Sequence, residues 1–260
     1  PKDLACLRAL PLERLLPEEP TLEATGRFLS NPSLFRTGPF KPHLSPFLLP
    51  QDPREALREG KAAGTPLIAG ANAEEVAFPS LQALLGPGDW EEAERRLLES
   101  GLSREKAQAL LAHYRKGVPD PKRAWGEVQT DLTLLCPSLK AARLQAPHAP
   151  TYAYLFTFRA PGFEGLGAFH GLELAPLFGN LLERPFLPLF LRQEAQEEAE
   201  YLGKKMRRYW TSFAKDGEPK GWPRWPLYRE GLLLRLDVPL GLLPDLYEER
   251  CGALEVLGLL

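Results

Sequence analysis

Residues 151–171 read TYAYLFTFRAPGFEGLGAFHG, and the rest of the chain is best understood outward from this stretch. Thr151 to Phe158 is rich in aromatic residues, contains threonine and alternates large with small side chains, which predicts a β-strand. A glycine-rich loop follows from Pro161 to Gly171 and carries His170 near its end. Gly165, Gly167 and Gly171 let the backbone turn sharply and approach other groups closely. They would hold His170 on a tight, exposed loop. The plain alternative is an incidental loop histidine.

A second strand is expected upstream at Thr65-Pro-Leu-Ile-Ala-Gly70, a brief apolar run bounded by proline and glycine. Working groups in open α/β sheets gather just past the C-terminal ends of strands, which is where Glu74 and Glu75 fall. Asn72 and Glu75 are three residues apart, so they also have the spacing of a helix cap. Both readings stand at this point. His43, His113 and His148 pair with no second histidine or cysteine at ligand spacing, so no zinc site is expected.

Helices are expected from Asp52 to Gly60, from a capping box at Asp89 and Glu92, from Ser103 to Gly117, through Leu139–Leu144, and from Arg192 to Lys215. The last carries Leu202, Met206, Tyr209, Trp210 and Phe213 on one stripe, the pattern of a core-facing helix. A third strand is expected at Leu232–Leu236, and the first 50 residues offer short helical turns at most. The order is that of an α/β fold. Strands at about 65–69, 151–158 and 232–236 are few for so much helix, so the expected architecture is one unit over 1–260 with part of a sheet.

The 260 residues carry a net charge of −2, with no basic excess to neutralise phosphates, so no nucleic-acid partner is expected. Twenty-seven prolines interrupt every apolar stretch, and none approaches the roughly 20 residues of a membrane helix. A membrane partner is therefore not expected either. Only three asparagines occur, Asn31, Asn72 and Asn180, and the Leu/Arg/Pro bias fits a thermophile or a GC-rich genome equally.

An acid followed by a histidine, each after a strand, matches the second and third members of the Ser, acid, His order of α/β-hydrolases. None of the eight serines lies in a Gly-x-Ser-x-Gly elbow. On these residues the chain resembles type B carboxylesterases, the cholinesterase and para-nitrobenzyl esterase family. The resemblance covers nearly the whole sequence. Residues 40–70, FKPHLSPFLLPQDPREALREGKAAGTPLIAG, are similar to the segment leading into that family's acid-bearing strand. Gly70 to Phe78 is similar to G-x-N-x-D-E-G, which puts the family's acid on Glu75. Residues 167–179, GAFHGLELAPLFG, are similar to G-A-x-H-G-x-E-L, which puts its histidine on His170. Residues 209–219, YWTSFAKDGEP, resemble its C-terminal helix and loop.

The resemblance implies hydrolysis of small-molecule carboxylic esters by a Ser–His–Glu mechanism, with Glu75 and His170 catalytic and no metal or organic cofactor. The serine would lie upstream of residue 1, leaving this chain alone inactive. The alternative is a non-catalytic binding module or a remnant. A partial sheet would expose an edge strand, to be covered by the missing half or by self-association. Glu74 stands where the family has Asp and Val76 where it has Gly, so the acid loop is expected to sit differently, whereas Ser212, where the family often has Asn, is expected to be harmless. Cys6 resembles one end of a small family disulfide. Cys136 resembles one end of another with Cys251 at the other, the alternative being reduced buried thiols. Glu173, three residues after His170, either supports that loop or is a solvated surface group.

Overall fold

In strand β2, Thr151–Phe156, side chains alternate between two cores. Tyr152 and Phe156 join one apolar cluster, and Ala153 and Leu155 join the other. Period-two projection of this kind puts a strand between two packed layers. These relations come from a computed structural model, which describes residues 9, 11, 44–47, 49–76, 86–161, 164–179 and 193–260. The turns expected between Leu4 and Leu16, with Cys6, His43 and the proline-broken stretch 180–192, lie outside the described residues.

Strand β1, Leu67–Asn72, runs parallel to β2 with Asn72 opposite Phe156. Strand β3, Leu232–Leu236, runs parallel on the other side of β2. Strand β4, Gly241–Pro244, closes the order β1-β2-β3-β4 antiparallel to β3. β4 corrects the expected three-stranded sheet. Its residues alternate between half-buried and exposed, as an edge strand does, and so carry little apolar signal. β1 also starts two residues later and reaches three residues further than its sequence pattern implied. Gly70 sits inside it because Tyr154 lies across that position: a Cβ would come within 2.4 Å of the Tyr154 carbonyl oxygen and 2.5 Å of its ring.

One layer contains α1 (Pro53–Arg58), α2 (Trp90–Glu99), α3 (Arg104–Gly117), α4 (Pro121–Thr130) and α5 (Cys136–Gln145). The caps are built as the sequence implied, with one shift. The Asp89 carboxylate accepts from the Glu92 N–H, but Glu92 reaches back to the N–H of Gly88, not of Asp89. Between α4 and α5 the helix widens into a π turn, Asp131–Leu135. Pro137, just beyond it, has no N–H and cannot close an ordinary helical bond there. Cys136 and Cys251 form a disulfide with their Cα atoms 5.4 Å apart, tying α5 to the final helical segment, Tyr247–Val256.

The other layer contains α6 (Leu174–Phe178) and α7 (Gln193–Asp216). The expected stripe on α7 is core: Leu202, Met206 and Tyr209 are fully buried, and Tyr209 meets the Trp225 ring edge-on at 5.4 Å. Trp225 in turn donates from Nε1 to the Ala153 carbonyl of β2 at 3.0 Å. α6 lies directly on α7 at Gly203, where a Cβ would stand 2.1 Å from the Pro176 carbonyl oxygen. Arg207, one turn on, donates to that same carbonyl at 2.7 Å and so caps α6. No described helix is long and apolar enough to cross a membrane.

Candidate active site

Parallel strands β1 and β2 end on the same side, which brings the segments that follow them together. The Ala73 N–H donates to the Phe156 carbonyl, and the Glu74 N–H to the Ala168 carbonyl at 3.1 Å. Glu74 and Phe169 then pair as an isolated parallel bridge. The histidine loop is thereby stitched alongside the acid loop. Its turns use Gly167 (φ 66°) and Gly171 (φ 82°), backbone conformations that favour glycine.

Glu74 and Glu75 separate into different tasks. Glu74 accepts from the Ala168 N–H at 2.7 Å and pairs with Arg159, so it clasps the backbone of the histidine loop. Glu75 turns inward. One of its carboxylate oxygens, Oε1, accepts from the Asn72 N–H at 2.7 Å, and the other, Oε2, lies 2.6 Å from His170 Nδ1. The capping geometry read from the Asn72–Glu75 spacing is thus half present. Glu75 does reach back to Asn72, while residues 73–76 are not helical.

The pair is asymmetric in its exposure. The Glu75 side chain is 7% exposed and the His170 side chain 67% exposed. Burial pushes the Glu75 carboxyl above the ordinary glutamate range, while the Asn72 N–H and His170 pull it back. An ionised Glu75 can only accept, so with it the contact calls for a proton on Nδ1, and in a neutral ring Nε2 is then the acceptor. Such a ring can take a proton from a group arriving from solvent, and Glu75 stabilises the imidazolium that results. Half-buried Tyr154 on β2 has its hydroxyl acidity weakened by desolvation and by the charges of Glu173 and Glu75.

Glu173 is half-buried, and its Oε2 accepts from the Asn72 side-chain Nδ2 at 2.5 Å. Of its two readings, loop support matches this contact. His148 lies elsewhere, against the Arg58 carbonyl, and His113 stacks edge-on against Tyr114. Ser100, Ser103 and Ser212 engage nearby backbone, and among the described residues no serine is hydrogen-bonded to His170. Among the described residues no three His, Cys, Asp or Glu side chains gather as a metal-binding group. The contact that sequence reasoning missed is that of Asn72 with the histidine loop. The asparagine was visible in the motif, but its long-range partners were not.

A partly parallel sheet between two helical layers, with an acid loop and a histidine loop meeting at its strand ends, defines the α/β-hydrolase class. The model of the carboxylesterase family matches residues 2–251, and the chain belongs to that family. It is 30% identical over 208 residues to the para-nitrobenzyl esterase of Bacillus subtilis (strain 168), covering 77% of this chain and 40% of that one. It is 29% identical over 216 residues to the cocaine esterase of Oryctolagus cuniculus, covering 74% and 39%. Among solved structures, a carboxylesterase from Geobacillus stearothermophilus superimposes with a TM-score of 0.69 at 26% identity, over 97% of this chain and 51% of that one. A para-nitrobenzyl esterase superimposes with a TM-score of 0.66 at 28% identity, over 94% and 50%. The chain spans about two fifths to one half of the length of these relatives.

Proposed function

We propose that this chain supplies the acid and histidine of a carboxylic-ester hydrolase of the Ser–His–Glu type. The observation that carries the reading is the 2.6 Å contact between buried Glu75 and His170, whose ring is otherwise open. His170 acts as general base toward a serine hydroxyl and then returns the proton to the leaving alcohol. Glu75 fixes the imidazole tautomer and stabilises the imidazolium. Desolvation strengthens that electrostatic coupling, because little water screens the carboxylate.

No Gly-x-Ser-x-Gly elbow occurs in the 260 residues, so the serine comes from polypeptide corresponding to the part of the relatives this chain does not match. β1 stands at the end of the described sheet, with β2 its one strand partner among the described residues. Its outer edge is the place where that segment docks. The small-molecule substrate is a carboxylic ester, as the names of the relatives indicate for those proteins.

The test is hydrolysis of a short-chain nitrophenyl ester by the chain alone and after joining to a serine-bearing segment from a relative. Activity is expected only in the joined protein. His170→Ala there is expected to lower kcat on the order of 10⁶-fold. Robust hydrolysis by the isolated chain that disappears in His170→Ala would overturn the need for an outside serine. A joined protein that folds but is inactive would favour a binding role instead.

A further inference from the structure

We propose that Asn72 is the positioning residue that locks the acid loop to the histidine loop, holding Glu75 through its backbone and the His170 turn through its side chain. The inference rests on reading Glu75 and His170 as the working pair. Asn72 is the last residue of β1 and is 1% exposed. Its backbone N–H donates to Glu75 Oε1 at 2.7 Å, on the carboxylate whose other oxygen meets His170. The two protons of its Nδ2 go to the Phe169 carbonyl at 2.7 Å and to Glu173 Oε2 at 2.5 Å. Phe169 and Glu173 bracket His170, one residue before it and three after. One side chain thus fixes both ends of the turn that aims the imidazole, while the same residue's backbone fixes its partner.

The chemistry of the position admits few substitutes. A carboxamide offers two donors from one atom. Aspartate offers none and would face the Phe169 carbonyl, Glu173 and Glu75 with a further negative charge. Alanine would take the donor from half-buried Glu173 and leave the Phe169 carbonyl only the Leu172 N–H. The opposite atom, Asn72 Oδ1, is itself buried and accepts no hydrogen bond among the described residues. An interior that tolerates this orphaned oxygen does so for what the Nδ2 end provides.

A second clasp makes the role separable from folding. Glu74 holds Ala168 through two backbone contacts and pairs with Arg159. Without the Asn72 side chain the loop stays attached through Glu74, and the turn keeps its Leu172 N–H to Phe169 carbonyl bond. What is lost is the side-chain tie that sets the turn against β1. The expected defect is therefore a misaimed ring on a folded chain.

The experiment is ¹H–¹⁵N spectroscopy of the imidazole groups in the full 260-residue chain at neutral pH and low temperature. The four histidines allow assignment by single substitution. The wild type is expected to show a His170 Nδ1-bound proton far downfield of the amide region, the signature of a strong hydrogen bond to a carboxylate. Asn72→Ala is expected to abolish that resonance while the indole signals of Trp125 and Trp225 stay in place. Glu173→Ala, at a half-buried position, removes one of the two Nδ2 acceptors and is expected to weaken and shift the resonance. Glu173→Gln, which restores an acceptor oxygen, is expected to recover it. A folded Asn72→Ala chain with an unchanged resonance overturns the proposal. If that variant does not fold, a Glu173→Ala spectrum identical to wild type overturns it. A wild type without the resonance removes the Glu75–His170 pair and the proposed function with it. Its presence with no response to these substitutions removes the positioning role alone.

Discussion

Two buried carboxylates in this molecule, Asp131 in the helical layer and Glu75 at the strand ends, are held in similar ways and lead to different ends. Asp131 is fully enclosed. It accepts from the Tyr114 hydroxyl at 2.7 Å and from Arg250 Nε at 3.2 Å, and Arg250 Nη2 stands 2.6 Å from its other oxygen. That last approach is an ion pair at a poor hydrogen-bond angle, which leaves both atoms without a formal bond. Desolvation raises the Asp131 carboxyl to about 6, overriding the attraction of Arg250. Glu75 is also raised by burial, and it too has one N–H or O–H donor, from the Asn72 backbone, and one nitrogen-bearing side-chain partner, His170. The difference lies in the partner. Arg250 is mostly buried and permanently charged, whereas the His170 ring is mostly in water and can exchange its proton. A weakened carboxyl can therefore pass its influence to a group in solvent only where its partner faces an opening.

This contrast can be broken in three ways, the largest effect first. The Cys136–Cys251 disulfide closes a 115-residue separation and sits beside Arg250, so it staples the sealed cluster and not the open one. Reduction, or the double change to alanine, is expected to cost about 4 to 5 kcal/mol of stability on the chain-entropy account, read from the urea midpoint. The His170 Nδ1 resonance should survive below that midpoint. Removing the cation comes next. Arg250→Ala strands Asp131 and is expected to cost about 3 to 5 kcal/mol. His170→Ala is expected to cost no more than about 1 kcal/mol, because its ring is largely hydrated and Glu75 keeps the Asn72 N–H. Equal losses in the two variants would erase the distinction.

The smallest effect is the pH dependence. A carboxyl that binds its proton more tightly in the folded chain makes folding less favourable as pH rises through the window between its unfolded and folded values. For Asp131 that window runs from its ordinary 3.8 to about 6. Its contribution is expected to fall across that range by on the order of 1 to 3 kcal/mol. Asp131→Asn should flatten the corresponding slope in urea midpoints measured between pH 4 and 7. An unchanged slope would assign the dependence to other groups. Glu75 contributes in the same direction, so Glu75→Gln is expected to be neutral or slightly stabilising at pH 7 while removing the His170 resonance.

Much of this was readable along the chain where neighbours in sequence are neighbours in space. Asp52, Asp89, Ser103 and the α7 stripe announced their helices because caps and amphipathic faces are local. The aromatic alternation of 151–158 announced β2 for the same reason, although the strand itself ends at Phe156. β4 was missed because Gly241–Pro244 takes its identity from pairing with β3, not from its own residues. The helical run from Pro121 to Gln145 was read only at its end, since Thr130, Val128 and Pro137 argue locally against helix while burial of Trp125, Val128 and Leu135 argues for it. Glu75 and His170 stood out in the sequence through their motifs, yet whether a separation of 95 residues is closed is a question of strand order.

The sequence by itself determined which groups are present. They are two adjacent carboxylates after one strand and one imidazole after another, a glycine-hinged loop to carry the imidazole, and no serine elbow to complete them. The tertiary structure decided which of two adjacent glutamates turns inward, that Cys136 reaches Cys251, and that Asn72 spans to Phe169 and Glu173. Residue type is a local property and is written one position at a time. Hydrogen-bond partnership across 95 or 101 residues exists only after parallel pairing of β1 with β2 has put their ends side by side.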